Sequence, residues 1–153
     1  MRLTSLAFQD HGIIPSRYTC EGANVNPPLT FHDIPAGTQS LALIMDDPDV
    51  PHHVRPDGMW DHWVLFNIDP SVTEVSDSST PPCVVGLTTF GHTRYGGPCP
   101  PNGEHRYFFK LYALNCRLNL PERSNKHAVE KAMQGHVLAE CSLMGRYEKN
   151  KGY

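Results

Sequence analysis

Two stretches of the chain concentrate side chains that can bind ligands or move protons. The first is Asp46-Asp47-Pro48-Asp49-Val50-Pro51, followed by Trp60-Asp61-His62-Trp63. The second is Tyr95-Gly96-Gly97-Pro98-Cys99-Pro100-Pro101, followed by Glu104-His105-Arg106-Tyr107. In the first, prolines 48 and 51 end sheet pairing, which leaves Asp47 and Asp49 at a strand end on a stiffened loop. Asp-Pro is also a common turn opening, so a turn or cap role for these carboxylates stays open. His62 begins an apolar strand, where a lone histidine is more often a satisfied core residue than a ligand contact. In the second stretch, His105 and Tyr107 are two apart in a strand pattern and therefore share a face. An imidazole beside a phenol offers hydrogen-bond donors at neutral pH, and the imidazole can become cationic. The run Tyr95 to Gly103 combines glycines with prolines. Glycines let bare N–H groups face a ligand, and prolines stiffen the wall without adding donors. That combination suits a small anion; an ordered proline-rich surface loop is the plainer reading.

The elements that must position these groups are short. Segment 40–46 is apolar almost throughout and bounded by prolines 35 and 48, the pattern of a strand covered on both faces. Segments 62–68 and 105–114 are also strand-like. Segment 139–147 alternates, with Cys141, Leu143, Gly145 and Tyr147 on one face. Shorter strand candidates lie near 3–8, 17–19, 28–31 and 84–89. One helix is predicted over 124–134, with Ser124 as its cap, a stripe of Ala128, Val129, Ala132 and Met133, and Gly135 as its stop. Long proline-containing loops separate most strands, which disfavours βαβ units. The predicted architecture is mainly antiparallel β with a helix near the C-terminus.

At 153 residues the chain has the length of one domain, and with no repeat or linker visible it is read as a single domain over 1–153. Its formal net charge of -3 and lack of a Lys/Arg run exclude the basic excess usual in nucleic-acid binders. No stretch is apolar enough to span a bilayer or form a signal-peptide core, so the expected location is cytoplasmic. Five cysteines, an odd number without a CxxC pair, lead to the expectation that all five are reduced thiols.

The order and spacing of DPDVP, WDHW, GHTRYGGPCPP and HRYFFKLYAL resemble the phosphatidylethanolamine-binding protein family, which includes Raf kinase inhibitor protein. The opening IPSRYTCEGANVNPPLTF and closing KAMQGHVLAECSLMGRYEK are similar to its bacterial and archaeal branch. The resemblance covers nearly the whole chain. It implies a large antiparallel sheet beside a smaller one in Greek-key order, helix near the C-terminus, and a small anion pocket. Carried over motif by motif, the pocket residues are Asp47, Asp49, His62, Gly97, Pro98, His105 and Tyr107, with Pro101 less surely placed. Asn26 departs from the family pattern, in which a serine is common. The long C-terminal helix that eukaryotic members carry has no counterpart here, which weakens any carry-over of kinase inhibition.

The expected function is binding of a small phosphate-bearing or carboxylate ligand, such as phosphate or phosphoethanolamine, without catalysis, cofactor or metal. Asp47 near either histidine favours imidazolium and burial favours the neutral ring, so the protonation states are open. His105 is expected to support little of the core. The competing readings are an inhibitor that docks on a kinase or protease, and a hydrolase using the Asp/His pocket. A Cys99 nucleophile, and a metal held by Asp47, Asp49, His62 and His105, are the chemical variants. A homodimer is the expected assembly, because bacterial relatives often pair.

Overall fold

The structure, a computed structural model, describes residues 1–152. Ten elements of regular structure follow one another along the chain. They are β1 (Arg2–Thr4), β2 (Gly12–Ile13), β3 (Leu29–His32), β4 (Ser40–Asp47), β5 (Trp60–Ile68), β6 (Glu74–Val75), β7 (Val84–Val85), β8 (His105–Leu114), α1 (Lys126–Met133) and β9 (Val137–Tyr147). A short 3-10 turn covers Ser16–Tyr18, where a strand had been expected over 17–19. The strands form a three-stranded sheet in the order β1-β3-β6 and a six-stranded sheet in the order β2-β9-β8-β4-β5-β7. All pairings are antiparallel except the two-residue match of β2 with β9. The fold is mainly β, as the turn-punctuated apolar runs require.

β4 lies at the centre of the large sheet, and its unbroken apolar run has a direct cause: every residue from Ser40 to Asp47 is buried. Leu41, Leu43 and Met45 face a core shared with the small sheet, into which Leu3, Leu29, Phe31 and Val75 project. Ala42 and Ile44 face the opposite way and pack with Val64, Phe66, Leu114, Val129 and Met133 under α1. Each fully buried Leu, Ile or Val side chain of this kind stabilises the fold by roughly 1.5–3 kcal/mol. β5 shifts register against β4 twice, once beside His62, where Met45 pairs with Trp63 and Asp46 with Asp61, and once at Asn67, whose backbone is left-handed (φ 51°). Asn67 then acts as a staple, donating to the Leu118 carbonyl at 2.9 Å and accepting from the Leu118 amide at 2.8 Å.

The helix is shorter than expected and capped differently. Asn125 Oδ1 accepts from the Ala128 amide at 3.0 Å, while Ser124 turns its hydroxyl to the Pro121 carbonyl. Gly135, at φ 81°, ends it as anticipated.

The expectation of five free thiols is wrong. Cys20 and Cys99 form a disulfide across 79 residues, and Cys83, Cys116 and Cys141 remain free. An odd count forbids pairing of all five but says nothing about two. The loops bearing Cys20 and Cys99 are drawn together by hydrogen bonds: Tyr95 Oη donates to the Tyr18 carbonyl (2.7 Å), Gly97 N to Asn24 Oδ1 (2.8 Å), and Cys20 N to the Pro98 carbonyl (3.1 Å). The resulting Cα–Cα distance of 5.4 Å lies in the bridging range.

Candidate functional site

Asp47, the last residue of β4, and Asp46 before it point to opposite faces of the sheet, as successive strand residues must. Asp46 is fully buried on the α1 side, where its Oδ2 lies 3.0 Å from Lys110 Nζ and 3.2 Å from Lys126 Nζ. Lys126 also sits 2.9 Å from Asp61 Oδ1. Asp47 faces the other way. Its Oδ1 accepts from the Asp49 amide at 2.8 Å, closing a turn over Pro48, and its Oδ2 meets His105 Nδ1 at 2.6 Å.

His105 opens β8, which is registered directly against β4, and this pairing brings a carboxylate and an imidazole together across 58 residues of sequence. Burial raises the Asp47 carboxyl above its ordinary range and outweighs the opposing hydrogen bond from His105. Two residues further along β8, Tyr107 is fully buried; its hydroxyl makes no hydrogen bond of ordinary geometry among the described residues, and the Asp47 carboxylate is the acceptor that acts on it. Burial, then the negative charge of Asp47, pushes its phenol upward, so it is a neutral donor.

His62 comes from β5. A carbonyl can only accept, so the 2.6 Å contact of His62 Nδ1 with the Gly96 oxygen places a proton on Nδ1 and the lone pair on Nε2. The ring is packed edge-on against Tyr107 (5.2 Å, 82°) and Phe90 (5.4 Å, 75°). Burial drives its pKa down to about 4. Burial therefore decides the protonation of His62, which is neutral at physiological pH.

Asp47, His62, His105 and Tyr107 line one cavity of about 240 Å³, together with Val50, Val54, Trp60, Phe90, Cys99, Pro100 and Pro101. No Lys or Arg is among these residues. Trp60 contributes an indole N–H that is buried and without a partner among the described residues. The cavity thus carries one carboxylate already engaged by an imidazole, two neutral donors without an ordinary hydrogen bond, one neutral imidazole and an apolar wall.

Three expected residues stand elsewhere. Asp49 is not among the lining residues; it accepts from the Arg106 amide and Nε, both at 2.9 Å, and from Arg106 Nη2 at 2.8 Å. The Arg106 guanidinium holds the Asp49 carboxyl below its ordinary range. Gly97 has no bare amide to offer, because its N–H is spent on Asn24. Its lack of a side chain serves loop packing: a Cβ there would fall 2.3 Å from the Tyr18 carbonyl oxygen. Pro98 supplies its carbonyl to Cys20 and does not line the cavity; the proline wall is made by Pro100 and Pro101. Asn26 likewise works away from the site, bridging to the Ser76 carbonyl and the Ser79 amide. Among the described residues, no group of three or more His, Cys, Asp or Glu is placed to hold a metal ion.

The apolar lining was not anticipated. Trp60 had a signal, since it stands two residues before His62 on the same strand and shares its face. Phe90 had none, because it reaches the cavity from an irregular loop and is fixed there by ring contacts with Trp60, His62 and His92.

Comparison with known proteins agrees with this architecture. The family model described as phosphatidylethanolamine-binding protein matches residues 4–148. A Methanothermobacter thermautotrophicus protein designated UPF0098 is 48% identical over 155 residues, covering 97% of this chain and 99% of its own length. A UPF0098 protein of Chlamydia pneumoniae is 45% identical over 150 residues, covering 98% of this chain and all of its own length. Among solved structures, a Chlamydia trachomatis protein described as a homologue of the phosphatidylethanolamine-binding protein superposes with a TM-score of 0.95 at 44% identity, covering 97% of both chains. Escherichia coli YbcL, described as a new member of the mammalian family, superposes with a TM-score of 0.87 at 29% identity, covering 96% of this chain and 97% of its own.

Proposed function

Since the chain belongs to the phosphatidylethanolamine-binding protein family, we propose that it binds a small anion, a phosphoryl or carboxylate group carrying a compact apolar or ammonium substituent, and does so without turnover. The observation that supports this reading is the meeting, in one cavity, of the Asp47–His105 pair with a Tyr107 hydroxyl that makes no ordinary hydrogen bond. A buried polar group in that state is rare in native proteins and costs roughly 1–3 kcal/mol. A ligand oxygen would satisfy it. With its Nδ1 fixed by Asp47, His105 can offer Nε2–H to the same ligand when doubly protonated, and charge-assisted bonds of that kind contribute roughly 1.5–3 kcal/mol each. No Lys or Arg lines the cavity, so the cationic half of the interaction has to come from this proton. An ammonium substituent would share the Asp47 carboxylate with His105 and the Asp49 amide, and Trp60, Phe90, Val50 and the two prolines would face an apolar one.

The absence of turnover has its own support. A thiolate is the cysteine nucleophile, and Cys99 is blocked as one while its sulfur is in the disulfide. No serine or threonine is among the lining residues, so the Asp47–His105 pair has no side-chain hydroxyl there to activate. No helix among the described residues is long and apolar enough to cross a membrane. A regulatory role through such a ligand, a location in the cytoplasm and pairing into a homodimer belong to the same proposal.

Calorimetric titration with inorganic phosphate, phosphoethanolamine and methanesulfonate tests the binding, with product analysis on the phosphoethanolamine sample. Saturable one-site binding with intact ligand is expected. Heat-silent titrations with all three, or release of ethanolamine, would sink the proposal.

A further inference from the structure

The wall of the cavity has an uneven attachment. Up to Pro98 it is tied by hydrogen bonds: Gly96 N to the His62 carbonyl, Gly97 N to Asn24, and the Pro98 carbonyl to Cys20 N. From Glu104 onward it is tied again, by the ion pair of Glu104 with Arg146 and by the strand that starts at His105. Between them, among the described residues, no hydrogen bond or ion pair joins Cys99–Gly103 to the rest of the chain. Pro100 and Pro101 have no N–H to give. Apart from the packing of the buried Pro100, what fastens this stretch is the Cys20–Cys99 bond, and Cys99, Pro100 and Pro101 are the residues that line the cavity there. Cys20 and Cys99 are both exposed residues, which makes the bond accessible to a thiol.

We propose that the Cys20–Cys99 disulfide is a thiol–disulfide exchange site for small dithiols and dithiol proteins, and that its reduction weakens ligand binding by releasing the Cys99–Gly103 wall. The chemistry is balanced by the dithiol alone. A thiolate attacks one of the two sulfurs and forms a mixed disulfide; the Sγ–Sγ bond breaks and its electron pair leaves on the other sulfur, which takes up a proton. The second thiol of the reductant then displaces the protein sulfur and closes its own disulfide. Two electrons and two protons pass to the protein and none are left over. Reduction leaves the anchors at Gly96, Gly97 and Pro98 in place, so the wall is freed only beyond Pro98. A ligand must then order that segment as it binds, and affinity falls by the cost of ordering. A compartment that reduces the bond, as the proposed cytoplasmic location would favour, opens the latch, and one that keeps it oxidised holds it shut. The effect on affinity rests on the anion-binding reading above; the release of the wall does not.

The experiment compares native protein with protein reduced and held in dithiothreitol, and with Cys20→Ser. Backbone order parameters from amide-nitrogen NMR relaxation are measured at Cys99, Asn102, Gly103 and Glu104, with Leu41–Met45 of β4 as the internal reference. Methanesulfonate affinity is measured on the same samples. Opening should lower the order parameters of the wall from about 0.85 to below about 0.6 while β4 is unchanged. It should weaken methanesulfonate binding by roughly threefold to tenfold. Unchanged order in the wall overturns the latch, and so does an equal loss throughout β4, which would make the bond a general brace. A loosened wall with equal affinity overturns the coupling. A loosened wall with no binding in either state overturns the coupling too, and places the failure in the anion reading instead of in the wall.

Discussion

His105 Nδ1 lies 2.6 Å from Asp47 Oδ2, and both side chains are about 95% buried. A pair this enclosed is a liability once halved. Removing the imidazole strands a buried carboxylate, a change worth roughly 3–5 kcal/mol of destabilisation when such a pair is broken. The sequence alone suggested that a pocket-lining histidine would support little of the fold, and the geometry reverses that. His105→Ala should therefore weaken methanesulfonate binding at least about tenfold. It should also lower stability at pH 7 by about 3 kcal/mol, less at pH 5, where the raised Asp47 carboxyl takes up its proton more readily. Denaturant titration at both pH values checks this, and Asp47→Asn/His105→Ala should recover part of the loss.

Ligand binding should take up at most one proton and not two. His62 has its pKa pushed down to about 4 and does not charge near neutrality. Only His105 is left to supply the donor, so the logarithm of methanesulfonate affinity should change by no more than about one per pH unit between about pH 8 and about pH 6. A slope of two would mean that His62 also charges on binding.

The same burial of His62 sets an acid limit on the fold. Its folded pKa, about 4, lies below the ordinary 6.5, so the unfolded chain binds a proton that the native state refuses. Above pH 6.5 the group contributes no pH dependence. As pH falls from 6.5 towards 4 stability drops, by about 3 kcal/mol at the end of that window. Chemical denaturation across the window measures the drop, and ring-proton NMR should show His62 uncharged down to about pH 4.

Tyr107→Phe separates the demands of folding and binding. It removes a buried hydroxyl that makes no ordinary hydrogen bond. Stability should stay level or rise by up to about 1 kcal/mol, while ligand affinity falls by about tenfold. A drop in stability of more than about 1 kcal/mol would show that the hydroxyl is bonded in the free protein.

Alkylation of the denatured, unreduced chain should label three thiols, at Cys83, Cys116 and Cys141. Reduction should raise the number to five and lower stability by roughly 2–4 kcal/mol.

The parts of this site that were legible in sequence share one property: their position follows from strand period. His105 and Tyr107 share a face because they are two apart, and Asp47 is fixed by the proline that ends β4. The illegible parts depend on how loops meet. Asp49 reads as a second pocket carboxylate until Arg106 is seen to occupy both of its oxygens. Gly97 reads as an amide donor until Asn24 is found on it. The Cys20–Cys99 pair joins two loops with no periodic signal between them, and Phe90 arrives from a third. Even the helix cap moved by one residue, from Ser124 to Asn125, because either side chain could have served.

Asp46 and Asp47 are joined by a single peptide bond, yet one is held by lysines under α1 and the other by an imidazole in the cavity. For an engineer this is a convenient seam. New ligand specificities can be built by replacing Val50, Val54 or Phe90, which belong wholly to the cavity side. Insertion or deletion of one residue in β4 has no such freedom: it would exchange the two carboxylates between faces and break both arrangements at once. Lineages that diversify this scaffold should vary the rim by substitution and keep the length of that strand.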